Sequence, residues 1–154
     1  MCITDGTLTV WPENGRMFAS SLAGETKVKI LCELNLNLFE TEFGFLNTSE
    51  VVLTPERAKH IMERHPSDYA LFEAYGIETI TEPDIILRDM EHENTVFMIL
   101  KLEQINMNAI VRLSIAGVDD DRLKNSVMTF YRIRTKNLAK LVAKHKVLYI
   151  RGEQ

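Results

Sequence analysis

The sequence predicts an α+β fold, and three observations carry that reading. An N-cap followed by proline opens a helix at Thr54, ahead of the main β region. Three apolar runs, 95–102, 108–115 and 126–133, then succeed one another across short polar turns, which makes them antiparallel neighbours. A helical repeat at 136–144 separates this meander from a last strand at 147–150, so helices come first and the sheet comes after them with a late crossover. A length of 154 residues, 45% hydrophobic and 26% charged, suits one core and excludes a disordered or fibrous chain.

Taken in order, residues 8–11 read as a short strand, and Pro12-Glu13-Asn14-Gly15 is turn chemistry leading to a second strand at 16–19, a hairpin. From 27 to 38, Val28, Ile30, Cys32, Leu34, Leu36 and Leu38 alternate as in a strand, whereas Leu31, Leu34 and Leu38 suit a helix, so both assignments stay open. Val51-Val52-Leu53 ends at Thr54, where Thr54-Pro55-Glu56 supplies a cap, a first-turn proline and a first-turn acid. That helix should stop near His65, because Pro66 disfavours helical angles in the residue before it. A short helix at 67–75 should be stopped by Gly76, after which the chain crosses to a strand at Ile85-Ile86-Leu87.

The net charge of −4 hides a division. From Arg122 onward nine Lys and Arg face the single Glu153, a balance of +8, while the first 121 residues carry nine cations against 21 acids, or −12. Such a tail attracts phosphate, or it simply complements the acidic body of its own fold. Two cysteines, Cys2 and Cys32, are too few for a disulfide framework or a four-ligand zinc site. No apolar run approaches the roughly 20 residues that cross a bilayer, and the first six residues lack a basic start, so a cytoplasmic chain without a membrane partner is expected.

At 100° per residue, the helix after Thr54 puts Ala58, Ile61, Met62 and His65 on one side and Arg57, His60 and Arg64 in a neighbouring stripe. His60 and Arg64, four apart, could hold a phosphate and move a proton at one place; the plainer alternative is a solvated basic stripe beside a core histidine, His65. His60 and His65 are five apart, not the four that zinc needs on one helix, so no metal is expected. There is no Gly-x-Ser-x-Gly elbow and no glycine-rich phosphate loop. In the third apolar run, Thr129 and Tyr131 alternate with Arg132 and Arg134, while Lys101 and Arg112 add cations from adjacent runs. These groups either form a site or merely surface at strand ends.

Three segments, 52–66, Glu82-Pro83-Asp84-Ile85-Ile86-Leu87 and 124–132 with its Thr129-x-Tyr131-Arg132 ending, recur in order before a basic-then-tyrosine stretch at 144–149. Together they resemble the phage-barnase-EndoU-colicin-RelE-like nuclease family over about residues 50–151. The resemblance implies N-terminal helices packed on a four-stranded antiparallel sheet, a barnase/RelE-like nuclease fold, with RNA lying across it. It divides the chain into an extension of unassigned role, 1–49, packed on a nuclease-like domain, 50–154. It implies a metal-independent endoribonuclease without cofactor, a phage or mobile-element toxin whose partners are RNA and an immunity or antitoxin protein. His60, His65, Thr129 and Tyr131 are then the catalytic candidates, and Arg64, Lys101, Arg112, Lys124, Arg132 and Arg134 the substrate-binding ones. The rival is a catalytically silent RNA-binding or partner-binding module on the same fold, which the acidic body favours.

Overall fold

Alternating apolar residues build seven strands into one sheet in the computed structural model, which describes residues 28–152. β1 (Lys29–Glu33), α1 (Asn37–Phe43) and β2 (Glu50–Leu53) come first, then α2 (Pro55–Arg64) and α3 (Pro66–Thr81). β3 (Ile85–Arg88), β4 (Thr95–Lys101), β5 (Asn106–Arg112) and β6 (Asn125–Ile133) come next, and α4 (Thr135–Lys144) and β7 (Lys146–Ile150) close the chain. The strand order is β1-β2-β6-β5-β4-β3-β7. Every adjacent pair is antiparallel except β2 and β6, which run parallel. The hairpin expected at 8–19 lies outside the described residues.

The expected four-stranded antiparallel sheet is therefore corrected to a seven-stranded mixed sheet, and the barnase/RelE-like arrangement does not form. β6-β5-β4-β3 is an antiparallel block of four, but β7 extends it beyond β3, and β2 with β1 extends it beyond β6. Of the additions, the strand at 147–150 was expected, whereas β2 escapes sequence periodicity because it has only four residues, three of them buried. Its pairing with β6 rests on two positions, Val51 with Asn125 and Val52 with Ser126. The ambiguous stretch at 27–38 holds both structures: a strand to Glu33 and a helix from Asn37.

The helix start at Thr54 forms as its chemistry dictates, the Thr54 hydroxyl accepting the Arg57 N–H at 3.1 Å. α3, however, runs through Gly76 to Thr81 instead of stopping. Gly76 is buried under the ring of its own i−4 neighbour, and a Cβ there would lie 2.7 Å from Phe72 Cδ1 and Cε1. The glycine thus lets Phe72 fold back to meet Phe130 of β6 edge-on, at 5.0 Å between centroids.

One face of the sheet presents Val51, Ile86, Met98, Ala109, Val127 and Phe130 to a core shared with Phe39, Ala58, Ile61 and Phe72 of the first three helices. The sheet curls around that core. Although α1 comes after β1 at one edge, its Glu42 reaches the opposite edge, pairing with Arg88 of β3 and, at 2.9 Å, with Lys146 of β7. The second face carries Ile85, Leu87, Phe97, Ile99 and Ile133, against which α4 places Leu138, Leu141 and Val142. No helix among the described residues is long and apolar enough to cross a membrane.

Gly76→Ala separates the two roles a helical glycine can have. Helix propensity alone gives a stabilisation of about 1 kcal/mol, whereas displacing Phe72 from a full core costs about 1–3 kcal/mol. Chemical denaturation should show net destabilisation; a more stable variant would mean that Phe72 has room to move.

Candidate functional site

Beyond Ser126, β6 has no strand on its outer side, and α2 packs against it there. The helix straddles the sheet edge: Ala58 and Ile61 enter the first core, while Arg57 and His60 line a cleft over the second face. The spacing set by the Thr54 cap puts these two side chains three residues apart on one side of the helix.

The cleft encloses about 630 Å³. Strand register makes its floor. Phe97, Ile110 and Thr129 are directly opposed across β4, β5 and β6, and Thr95 opposed to Arg112 forms the next row. The Thr129 hydroxyl is shielded from solvent and has no hydrogen-bond partner among the described residues, a costly state for a polar atom. The far wall is the loop between β3 and β4, which brings Asp89, Glu91, His92 and Glu93.

Burial lowers the pKa of His60, and the positive charges of Arg64, Arg57 and His65 lower it further, against a small opposing pull from Glu63. Its imidazole is therefore neutral near pH 7, the form that accepts a proton. Neither Arg57 nor Arg64 has a carboxylate partner among the described residues, and Arg112 stands 3.7 Å from Asp119. An uncharged base thus sits among guanidinium groups at the edge of an apolar-floored cleft, an arrangement able to hold a phosphate and take a proton beside it.

Of the expected site residues, His60, Arg112 and Thr129 come together here, with Arg64 close enough to act on His60 by charge. His65 ends α2 and stacks on Tyr131 at 5.3 Å, and the Tyr131 hydroxyl accepts from Asn108 Nδ2 at 3.1 Å. This row lies one step along the strands from the cleft floor. The others are elsewhere. Arg132 is held by Asp68 of α3, whose carboxylate also accepts the Arg132 backbone N–H at 3.2 Å on the free edge of β6, and by Ser67. Lys124 pairs with Glu50. Lys101 and Arg134 sit at the opposite end of the strands, six residues or roughly 20 Å from Thr95 along β4, and α4 packs on the same face between.

Sequence reasoning missed Arg57 as a cleft residue and missed the pair Asp89 and His92 entirely. His92 Nδ1 lies 2.8 Å from Asp89 Oδ2. Burial pushes the Asp89 carboxyl up, but the Glu91 N–H and the hydrogen bond and charge of His92 outweigh it and hold the group below the usual carboxylate range. The available signal was a polar loop carrying Asp and His three apart between two buried strands, the kind of connection on which functional side chains concentrate.

Titrating the His60 ring by NMR should give a pKa below 6.5, rising in Arg64→Gln as a positive neighbour is removed. Because the folded pKa is lowered, the stability His60 contributes is complete above pH 6.5 and is lost as pH falls through the folded value. An unchanged titration in Arg64→Gln would place that guanidinium away from the ring. Comparison of the chain with protein-family models, with curated proteins and with solved structures gave no match.

Proposed function

We propose that the protein is an endoribonuclease that cleaves RNA by attack of the ribose 2′-hydroxyl, without a metal ion. The observation that carries this reading is His60, kept neutral by burial and by the charges of Arg64 and Arg57, on a cleft that Arg57 and Arg112 also line. In the reaction His60 takes the 2′-hydroxyl proton, O2′ bonds to phosphorus and the P–O5′ bond breaks. The products are a 2′,3′-cyclic phosphate and a 5′-hydroxyl end. The arginines hold the phosphate as negative charge builds on its oxygens, and their forked, permanent charge suits that task. RNA as substrate makes the cytoplasm the place of action.

Incubating the protein with mixed RNA in EDTA tests this directly. Cleavage to cyclic-phosphate ends should persist in EDTA and fall at least about 100-fold in His60→Ala, with folding stability changed by less than about 1 kcal/mol. Activity that needs a divalent ion sinks the mechanism, and binding without cleavage favours a silent RNA-binding module.

RNA affinity gives a second check. Six of the nine cations after residue 121 are paired with carboxylates: Arg122, Lys124, Arg132, Lys144, Lys146 and Arg151. Contact made by Arg57, Arg64 and Arg112 alone predicts a slope of about −2 for log affinity against log salt on single-stranded RNA. A slope several times steeper would show that the basic tail binds the backbone.

A further inference from the structure

The nuclease reading, on which this inference rests, leaves the proton for the departing 5′-oxygen unassigned. Attacking and leaving oxygens lie roughly in line on opposite sides of phosphorus, so a base on one wall of the cleft calls for an acid on the other. His60 stands on the β6 side. Across a floor of three strands, β6, β5 and β4, the β3–β4 loop lines the cleft with His92. We propose that His92 is the general acid of the reaction and that Asp89 is the positioning residue that aims it.

The loop is built to hold that imidazole still. The Asp89 backbone N–H donates to the Thr95 carbonyl at 2.9 Å, and the Leu113 N–H donates to the Asn94 carbonyl at 2.7 Å. Asn94 turns the chain with a φ of +55°, which asparagine tolerates better than most residues. The Met90 N–H donates at 3.0 Å to Nδ1 of His145, a buried ring packed edge-on against Phe97. Glu91 of the same loop is engaged by Lys144 at 2.6 Å.

Within this frame the Asp89 side chain is 4% exposed and the His92 side chain 73% exposed. A buried carboxylate, itself fixed at 2.7 Å by the Glu91 N–H, thus supports a ring standing in the cleft. Because Nδ1 faces Asp89, Nε2 is the nitrogen left for the substrate. In its protonated form the ring gives its Nε2 proton to O5′ as the P–O5′ bond breaks. His60 ends the step with one proton more and His92 with one fewer, and exchange with solvent resets both.

The test compares ordinary RNA with the same oligonucleotide carrying sulfur in place of the bridging 5′-oxygen at one linkage, because a thiolate leaves without a proton. His92→Ala removes a mostly exposed side chain and leaves the folded protein in place. It should lose about 100- to 10,000-fold on ordinary RNA. On the sulfur-linked substrate it should come within about tenfold of the wild-type rate, whereas His60→Ala stays slow on both. Asp89→Asn should show the same selective rescue at smaller amplitude, which a merely structural role would not produce. His92→Ala cleaving ordinary RNA at the wild-type rate, or losing equally on both substrates, overturns the assignment while the nuclease reading stands. A wild-type protein that cleaves neither substrate overturns both.

Discussion

The side chain of Asn125, fully buried, donates from Nδ2 to the carbonyls of Thr48 and Glu50 at 2.8 and 3.0 Å and accepts the Ser114 N–H at 2.8 Å. With it, one amide joins β6 to the entry of β2 and to the segment after β5. A parallel pair in register at two positions has few ladder hydrogen bonds of its own, and a buried amide satisfied on both sides makes up for them. The shortness of this junction sets the placement of α2. β2 ends where β6 still has seven residues to run, and the vacated edge is taken by helices instead of a strand.

That edge has backbone groups to satisfy, and the protein does so with a side chain. Asp68, in the first turn of α3, accepts the Arg132 N–H and grips the Arg132 guanidinium. An acid at that place also complements the positive end of the helix. The same logic runs through the charge distribution. The acidic body and basic tail meet in ion pairs at Glu42, Glu50, Asp68, Asp84, Glu91 and Asp120. Each exposed pair adds little stability. Their collective effect is to weaken the field of the tail, while among the described residues Arg57 and Arg64 of α2 keep guanidinium groups without a carboxylate.

The cleft therefore draws its parts from distant stretches of chain: α2, three consecutive strands, and a loop anchored by a histidine some fifty residues later. Its two imidazoles are set differently. His60 is tuned by burial and by like charge on its own helix, whereas His92 is oriented by a buried carboxylate in its own loop. One ring is thus tuned by its surroundings and the other oriented by its neighbour.

Local chemistry was readable from the residues alone. Thr54-Pro55 starts its helix as the residues dictate, and the alternation at 95–133 with its polar turns forms the antiparallel meander, because capping and side-chain period act over a few residues. The stripe of Arg57, His60 and Arg64 was likewise visible from helical geometry. What the stripe faces was not. That depended on β2 stopping after Leu53, on Asn125 holding it there, and on strand register putting Thr129 beside Ile110. Gly76 read as a stop because its local preference is for turns, yet Phe72 packing kept the helix going. Arg132 stood out in the sequence, but its ion pair with Asp68, 64 residues earlier, did not. Tertiary structure decided these points because each rests on a contact between segments far apart in the chain, where neither period nor propensity carries information.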